Sequence, residues 1–294
     1  VTRRDSLLAL LVVVLWGLNF VVIDAGLADV PPLVLLTLRF VLVVVPAIFF
    51  IKRPAVPWRI ILSMGLFLSL GQFALLYLAL HLGMPAGLAS LVAQTQIVFT
   101  VLIAAVVRKE RPTPRQSAGL AIGLIGLAVV IIAHGAVAPW LPLLVTLAAA
   151  LSWSIGNVIG RSATGASGLS MVVWSAIVVP VPAFLLSLLV DGAPVVFDAL
   201  GSLSLAAILS TLYTVVFASF VGYGIWNTLL ARHEAAQVVP FALLIPVVGV
   251  ISAWVFQGEA PTPLELIGGA VMVAGLAVAT VRFVRGSRAV VVPE

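Results

Sequence analysis

The chain has 294 residues, of which 9% are charged and 63% hydrophobic, with a formal net charge of +5 and a mean hydropathy of +1.29. A soluble domain carries roughly 25% charged residues, so this composition excludes a globule with a polar shell and makes lipid the solvent for most of the chain. The absence of cysteine excludes a disulfide framework, a thiolate metal site and a cysteine nucleophile, and the basic residues lie in short clusters between apolar runs, a pattern that orients membrane spans rather than binding nucleic acid.

A span needs about 20 mostly apolar residues at a rise of 1.5 Å each. Divided at its charges, prolines and glycines, the chain predicts ten: 6–25, 32–51, 58–81, 85–107, 115–134, 139–160, 169–190, 204–230, 235–257 and 263–284. The first run, behind Arg3-Arg4 and with small residues near Ala28, has the look of a signal peptide. A similar Trp-and-Asn helix recurs near Trp153, where no signal peptide lies, so the first run is expected to belong to the fold. With the N-terminus cytoplasmic, the inner segments carry Arg3, Arg4, Lys52, Arg53, Arg59, Arg108, Lys109, Arg111, Arg115, Arg161, Arg232, Arg282, Arg285 and Arg288, fourteen of the fifteen basic residues. The outer loops hold Asp29, Asp191, Asp198 and Glu259 instead, so ten spans with both termini inside satisfy the positive-inside rule.

The ends of the two halves align at an offset of 149 residues. Glu110-Arg-Pro-Thr-Pro114 matches Glu259-Ala-Pro-Thr-Pro263, and ten of the twenty positions from Glu110 to Val129 are identical to their partners. Five spans per unit is an odd number, so the second unit enters the membrane from the opposite side. The expected fold is therefore an all-α polytopic membrane protein of two inverted five-helix repeats, 1–134 and 135–294, the architecture that lets a carrier rock about a midplane site.

The tracts Trp16-Gly-Leu-Asn-Phe20, Arg39, Pro85-Ala-Gly-Leu-Ala89 and the paired Glu110 and Glu259 resemble EamA-type carriers of the drug/metabolite transporter superfamily, over the whole chain. Trp16 to Ile23 and Gly83 to Val92 are most similar to bacterial exporters of cysteine and acetylserine, near the aromatic amino-acid exporters. The resemblance implies a multi-pass protein of the bacterial inner membrane that exports neutral amino acids or related metabolites; no cofactor is expected. Gln96 stands where such carriers often have proline, as the second half does at Pro246, which predicts a straighter and more polar fourth helix.

Polar groups midway along an apolar span need partners and tend to face the bundle interior or a cavity. Trp16 and Asn19 share one face of the first span, and Trp153 and Asn157 share one face of the sixth. Gln94 and Gln96 sit at the centre of the fourth on nearly opposite faces, so one of them is expected to line the cavity. Tyr77 in the third span and Tyr223 and Asn227 in the eighth complete the candidate substrate site, with Trp226 a weaker member. Arg39 lies about 10 Å inside the outer boundary, where an unpaired guanidinium costs a few kcal/mol; Asp24 is the expected partner by depth, in a structural or gating ion pair, with a helix-end carbonyl or a substrate carboxylate as competitors.

No phosphate-cradling tract and no H-E-x-x-H is present, and the carboxylates and histidines sit at span ends, in loops or at the termini. A carrier running substrate down its own gradient is the expectation; a proton-coupled exporter, a membrane scaffold and an intramembrane enzyme are the alternatives. The expected partners are a small-molecule substrate and the lipid bilayer, and oligomeric state is left open.

Overall fold

The structure is a computed structural model describing residues 2–135, 140–163 and 165–280. Among these, nine helices are long and apolar enough to cross a membrane: α1 (Arg3–Gly26), α2 (Pro32–Phe50), α3 (Trp58–His81), α4 (Ala86–Val107), α5 (Pro114–Gly135), α6 (Trp140–Gly160), α7 (Gly168–Val190), α8 (Leu205–Arg232) and α9 (Val239–Gln257). A further apolar helix, α10 (Pro263–Thr280), is shorter over the described residues. The rest of the expected last span, with Arg282, Arg285 and Arg288, lies outside them. A short helix, Ala193–Gly201, joins α7 to α8 where a plain loop was expected.

Local chemistry explains where these helices start. Thr2 caps α1 by accepting from the Asp5 amide at 3.2 Å. Before α5, the Thr113 hydroxyl accepts from the Gln116 amide while the Gln116 side chain accepts from the Thr113 amide; Thr262 and Glu265 do the same before α10. Both are reciprocal capping boxes, and they stand 149 positions apart.

Helix partners follow one pattern. α1 packs on α8 and α9, and α6 packs on α3 and α4, while α2 meets α7 and α5 meets α10. The α5–α10 contact depends on glycine: a Cβ at Gly126 would strike the backbone of Met272 and Gly268, and one at Gly275 the backbone at Gly123 and Gly119. Backbones this close give dispersion contact where lipid offers no hydrophobic drive between helices. The outer surface is apolar, with Phe50 85% and Leu189 81% exposed, as hydrocarbon rather than water requires.

Two helices carry π-wound stretches, Gly65–Gly71 in α3 and Thr214–Tyr223 in α8. Their first residues stand 149 positions apart. Each adds width to one turn and frees carbonyls on the bundle interior: Ser152 Oγ donates to the Phe67 carbonyl and Trp16 Nε1 to the Ala218 carbonyl, at 2.8 and 2.9 Å.

The expectation that Gln96 keeps α4 straight fails. α4 breaks at Ala93–Gln94, between Ala86–Val92 and Thr95–Val107, just as α9 changes from 3-10 winding at Val239–Leu244 to α winding at Ile245–Gln257. Hydroxyls meet the backbone around the break without proline: Thr95 Oγ1 donates to the Val92 carbonyl, and Ser154 Oγ from α6 donates to the Gln96 carbonyl, each at 2.8 Å.

Candidate functional site

One end of the bundle is basic. Arg161 donates to Glu110 at 3.0 Å, Arg108 does likewise, and the loop through Lys52 is tied to α7 by bonds from Ser170 and Trp174 to the Lys52 and Ile51 carbonyls. Asp5 and His233 join α1 to the end of α8 at 2.8 Å, with Arg232 alongside. A vestibule of about 360 Å³ is lined at this end by Asn157, Arg161, Gly168, Val172 and Asn227, among others. Its volume is in the range of small-molecule pockets.

A second, smaller cavity of about 30 Å³ shares the Val172 wall with the vestibule. Arg39, Phe73, Ser69, Ser219 and Tyr223 line it. Ser69 and Ser219 come from the two π-wound stretches, which explains how α3 and α8 both place a hydroxyl beside Arg39.

The polar residues singled out by sequence divide between these spaces. Asn157 and Asn227 line the vestibule, and Asn157 Nδ2 donates to Gln96 Oε1 at 3.1 Å. Asn227 Nδ2 donates to the Tyr223 carbonyl at 2.7 Å. Tyr223 lines the smaller cavity, and Tyr77, fully buried, accepts from Arg39. Trp16 lies in neither cavity; its ring meets Tyr223 and Trp226 at 5.1 and 5.3 Å between centroids. Trp226 is thus part of an aromatic cluster rather than an interfacial anchor alone. Asn19 and Gln94 are buried, with Asn19 Oδ1 lacking a hydrogen-bond partner, and Trp153 is half-buried outside both cavities.

The expected Arg39–Asp24 pair does not form. Arg39, 2% exposed, donates to the hydroxyls of Tyr77 and Ser219, both at 3.3 Å, and lies 4.3 Å from the Phe73 ring centroid. Among the described residues no carboxylate comes within ion-pair distance of it. Asp24 instead accepts from Gln257 Nε2 at 2.6 Å, closing α1 against the end of α9. Depth along the helix was a poor guide because it ignores azimuth: Arg39 faces α3 and α8, whereas Asp24 faces α9. Ser69, Phe73 and Ser219 escaped the sequence reading, since a serine or phenylalanine in an apolar span carries no signal until its helix is placed.

At the opposite, acidic end, both Glu259 carboxylate oxygens accept from the first amides of α4, Ala86 at 3.3 Å and Gly87 at 3.2 Å. A carboxylate there meets unpaired amides and the positive end of the helix dipole.

The sequence matches the EamA-like transporter family twice, over residues 4–132 and 140–281. The chain belongs to that family. It is 45% identical over 281 residues to a probable amino-acid metabolite efflux pump of Escherichia coli, covering 94% of each chain. A protein of the same name from Salmonella typhimurium is 47% identical, again over 94% of each. A solved crystal structure at 23% identity matches 95% of this chain and 97% of its own with a TM-score of 0.66, a likeness of fold. This EamA-family chain is a multi-pass protein of the bacterial inner membrane.

Proposed function

We propose that this chain exports amino-acid metabolites from the cytoplasm by alternating access, with ten spans, cytoplasmic termini and two inverted repeats, 1–134 and 135–294, enclosing the substrate path. The observation that carries this reading is the 360 Å³ vestibule opening at the basic end; basic loops face the cytoplasm, so the open end is the one from which an exporter loads. The names of the two efflux-pump relatives support the substrate class. Support for the repeat comes from the double family match, the paired capping boxes and the paired π-wound stretches.

The cycle runs down the substrate gradient. Among the described residues no carboxylate lines either cavity, and four at span ends are engaged elsewhere: Asp5 by His233, Asp24 by Gln257, Glu110 by Arg108 and Arg161, and Glu259 by the α4 amides. Purified protein in liposomes preloaded with an unlabelled mixture of neutral amino acids is expected to trap the labelled mixture by counterflow without an imposed pH difference. No trapping above protein-free liposomes sinks the proposal, and accumulation that requires a proton gradient replaces its energetics.

A further inference from the structure

A guanidinium stays charged under any condition the protein meets, and at 2% exposure Arg39 is shielded from bulk water and, among the described residues, has no carboxylate to balance that charge. What surrounds it is neutral: two hydroxyls at 3.3 Å, long for hydrogen bonds, and the faces of Phe73 and Phe40 at 4.3 and 5.3 Å. Among the described residues, the buried Nε atom has no hydrogen-bond partner. Leaving a buried charge uncompensated is strongly destabilising, and an ionisable side chain inside a membrane span marks a substrate or ion pathway by default.

The cavity beside Arg39 indicates what pairs with it. Its volume of about 30 Å³ has room for roughly two water-sized atoms, the number of oxygens in a carboxylate. Arg presents its donors in a planar fork that matches a carboxylate edge. Ser69 adds a hydroxyl from one π-wound stretch, while Ser219 from the other donates to the Thr214 carbonyl at 2.8 Å and so offers its oxygen to Arg39; Val172 lines both this cavity and the vestibule.

We infer that Arg39, held by Ser219 and with Ser69 as a second donor, forms the subsite for the carboxylate of the transported metabolite, pairing with it only while substrate is bound. The inference rests on the exporter reading for its ligand and gives that reading a selection rule: monocarboxylates enter, whereas their amides and esters do not. The side chain of the metabolite is left in the roomier vestibule, where Asn157 and Asn227 stand. Pairing with a mobile carboxylate also explains why Asp24 lies elsewhere, since a resident partner would compete with substrate.

Two measurements test this on the full chain. In detergent, acetate is expected to raise the thermal unfolding temperature of the parent protein and acetamide to leave it unchanged. Arg39→Gln abolishes the acetate shift; Arg39→Lys, which keeps the charge but not the fork, retains a smaller one and covers the case in which Arg39→Gln does not fold. In counterflow, neutral amino acids compete with the labelled mixture and their carboxamides do so at least about tenfold more weakly, the loss expected for a hydrogen bond to a charged group. An acetate shift that is absent from the parent, equal in Arg39→Gln, or reproduced by chloride at the same concentration overturns the inference, as does equal competition by carboxamides. Lack of flux with the acetate shift intact defeats the exporter reading and leaves the anion site standing.

Discussion

Glu110 and Glu259 occupy corresponding positions in the two halves, 149 residues apart, and leave the same backbone turn. Each follows a residue in the left-handed region, Lys109 at φ 55° and Gly258 at φ 71°, and each amide returns to the preceding helix, at Ala104 and Ala253. Their side chains nevertheless do different things. Glu259 spans to α4 and accepts from its first amides, joining the two segments at the acidic end. Glu110 bonds instead to exposed side chains, Arg108 beside it and Arg161 at the end of α6, at the end where the vestibule opens. On the exporter reading proposed above, the first contact is a latch and the second is not, the asymmetry that an inverted-repeat carrier would show in one of its two states.

The strongest way to break this comparison is to remove the engaged latch. Glu259→Ala takes a charged acceptor from two amides, worth about 2 kcal/mol. A 2 kcal/mol change moves a two-state equilibrium more than tenfold. Reaction of a probe buried at the acidic end, such as Met84→Cys at 1% exposure, is expected to rise accordingly, and no change in reactivity shows that the contact is not a latch.

A smaller effect sharpens the claim that the turns are equivalent. Gly258→Ala forces a Cβ into the left-handed region at a cost of about 1 kcal/mol, and Lys109→Gly relieves the same strain by a similar amount. Thermal unfolding midpoints should move in opposite directions; movement in the same direction means that the two turns carry different loads.

Much of this was legible in sequence because it is written in residue type. Apolar runs marked the helices, and the repeated Glu-x-Pro-Thr-Pro marked the two turns and their capping boxes. What Arg39 touches was not legible. Its neighbours Tyr77 and Ser219 come from helices 38 and 180 residues away, and π winding requires no distinctive residue. Candidate residues were therefore found one by one, but their division between vestibule and anion cavity needed the packing of α3, α7 and α8.

The smallest expected effect lies at the open end. Arg161→Gln removes one of two ion pairs to Glu110, and with both side chains more than 40% exposed such a pair contributes on the order of 0.5 kcal/mol. Thermal stability should hardly move. A loss comparable to that of Glu259→Ala would mean that Glu110 also bears load in this state, and the contrast between the ends would disappear.

Sidedness of access tests the account most directly. Because the chain has no cysteine, Val172→Cys, on the wall shared by both cavities, is a unique target for a membrane-impermeant maleimide. The account predicts labelling in inside-out vesicles and protection in whole cells, with protection lost when Glu259→Ala is added. Labelling of Val172→Cys from outside whole cells in the otherwise unaltered chain, with none from the cytoplasmic face, would contradict it.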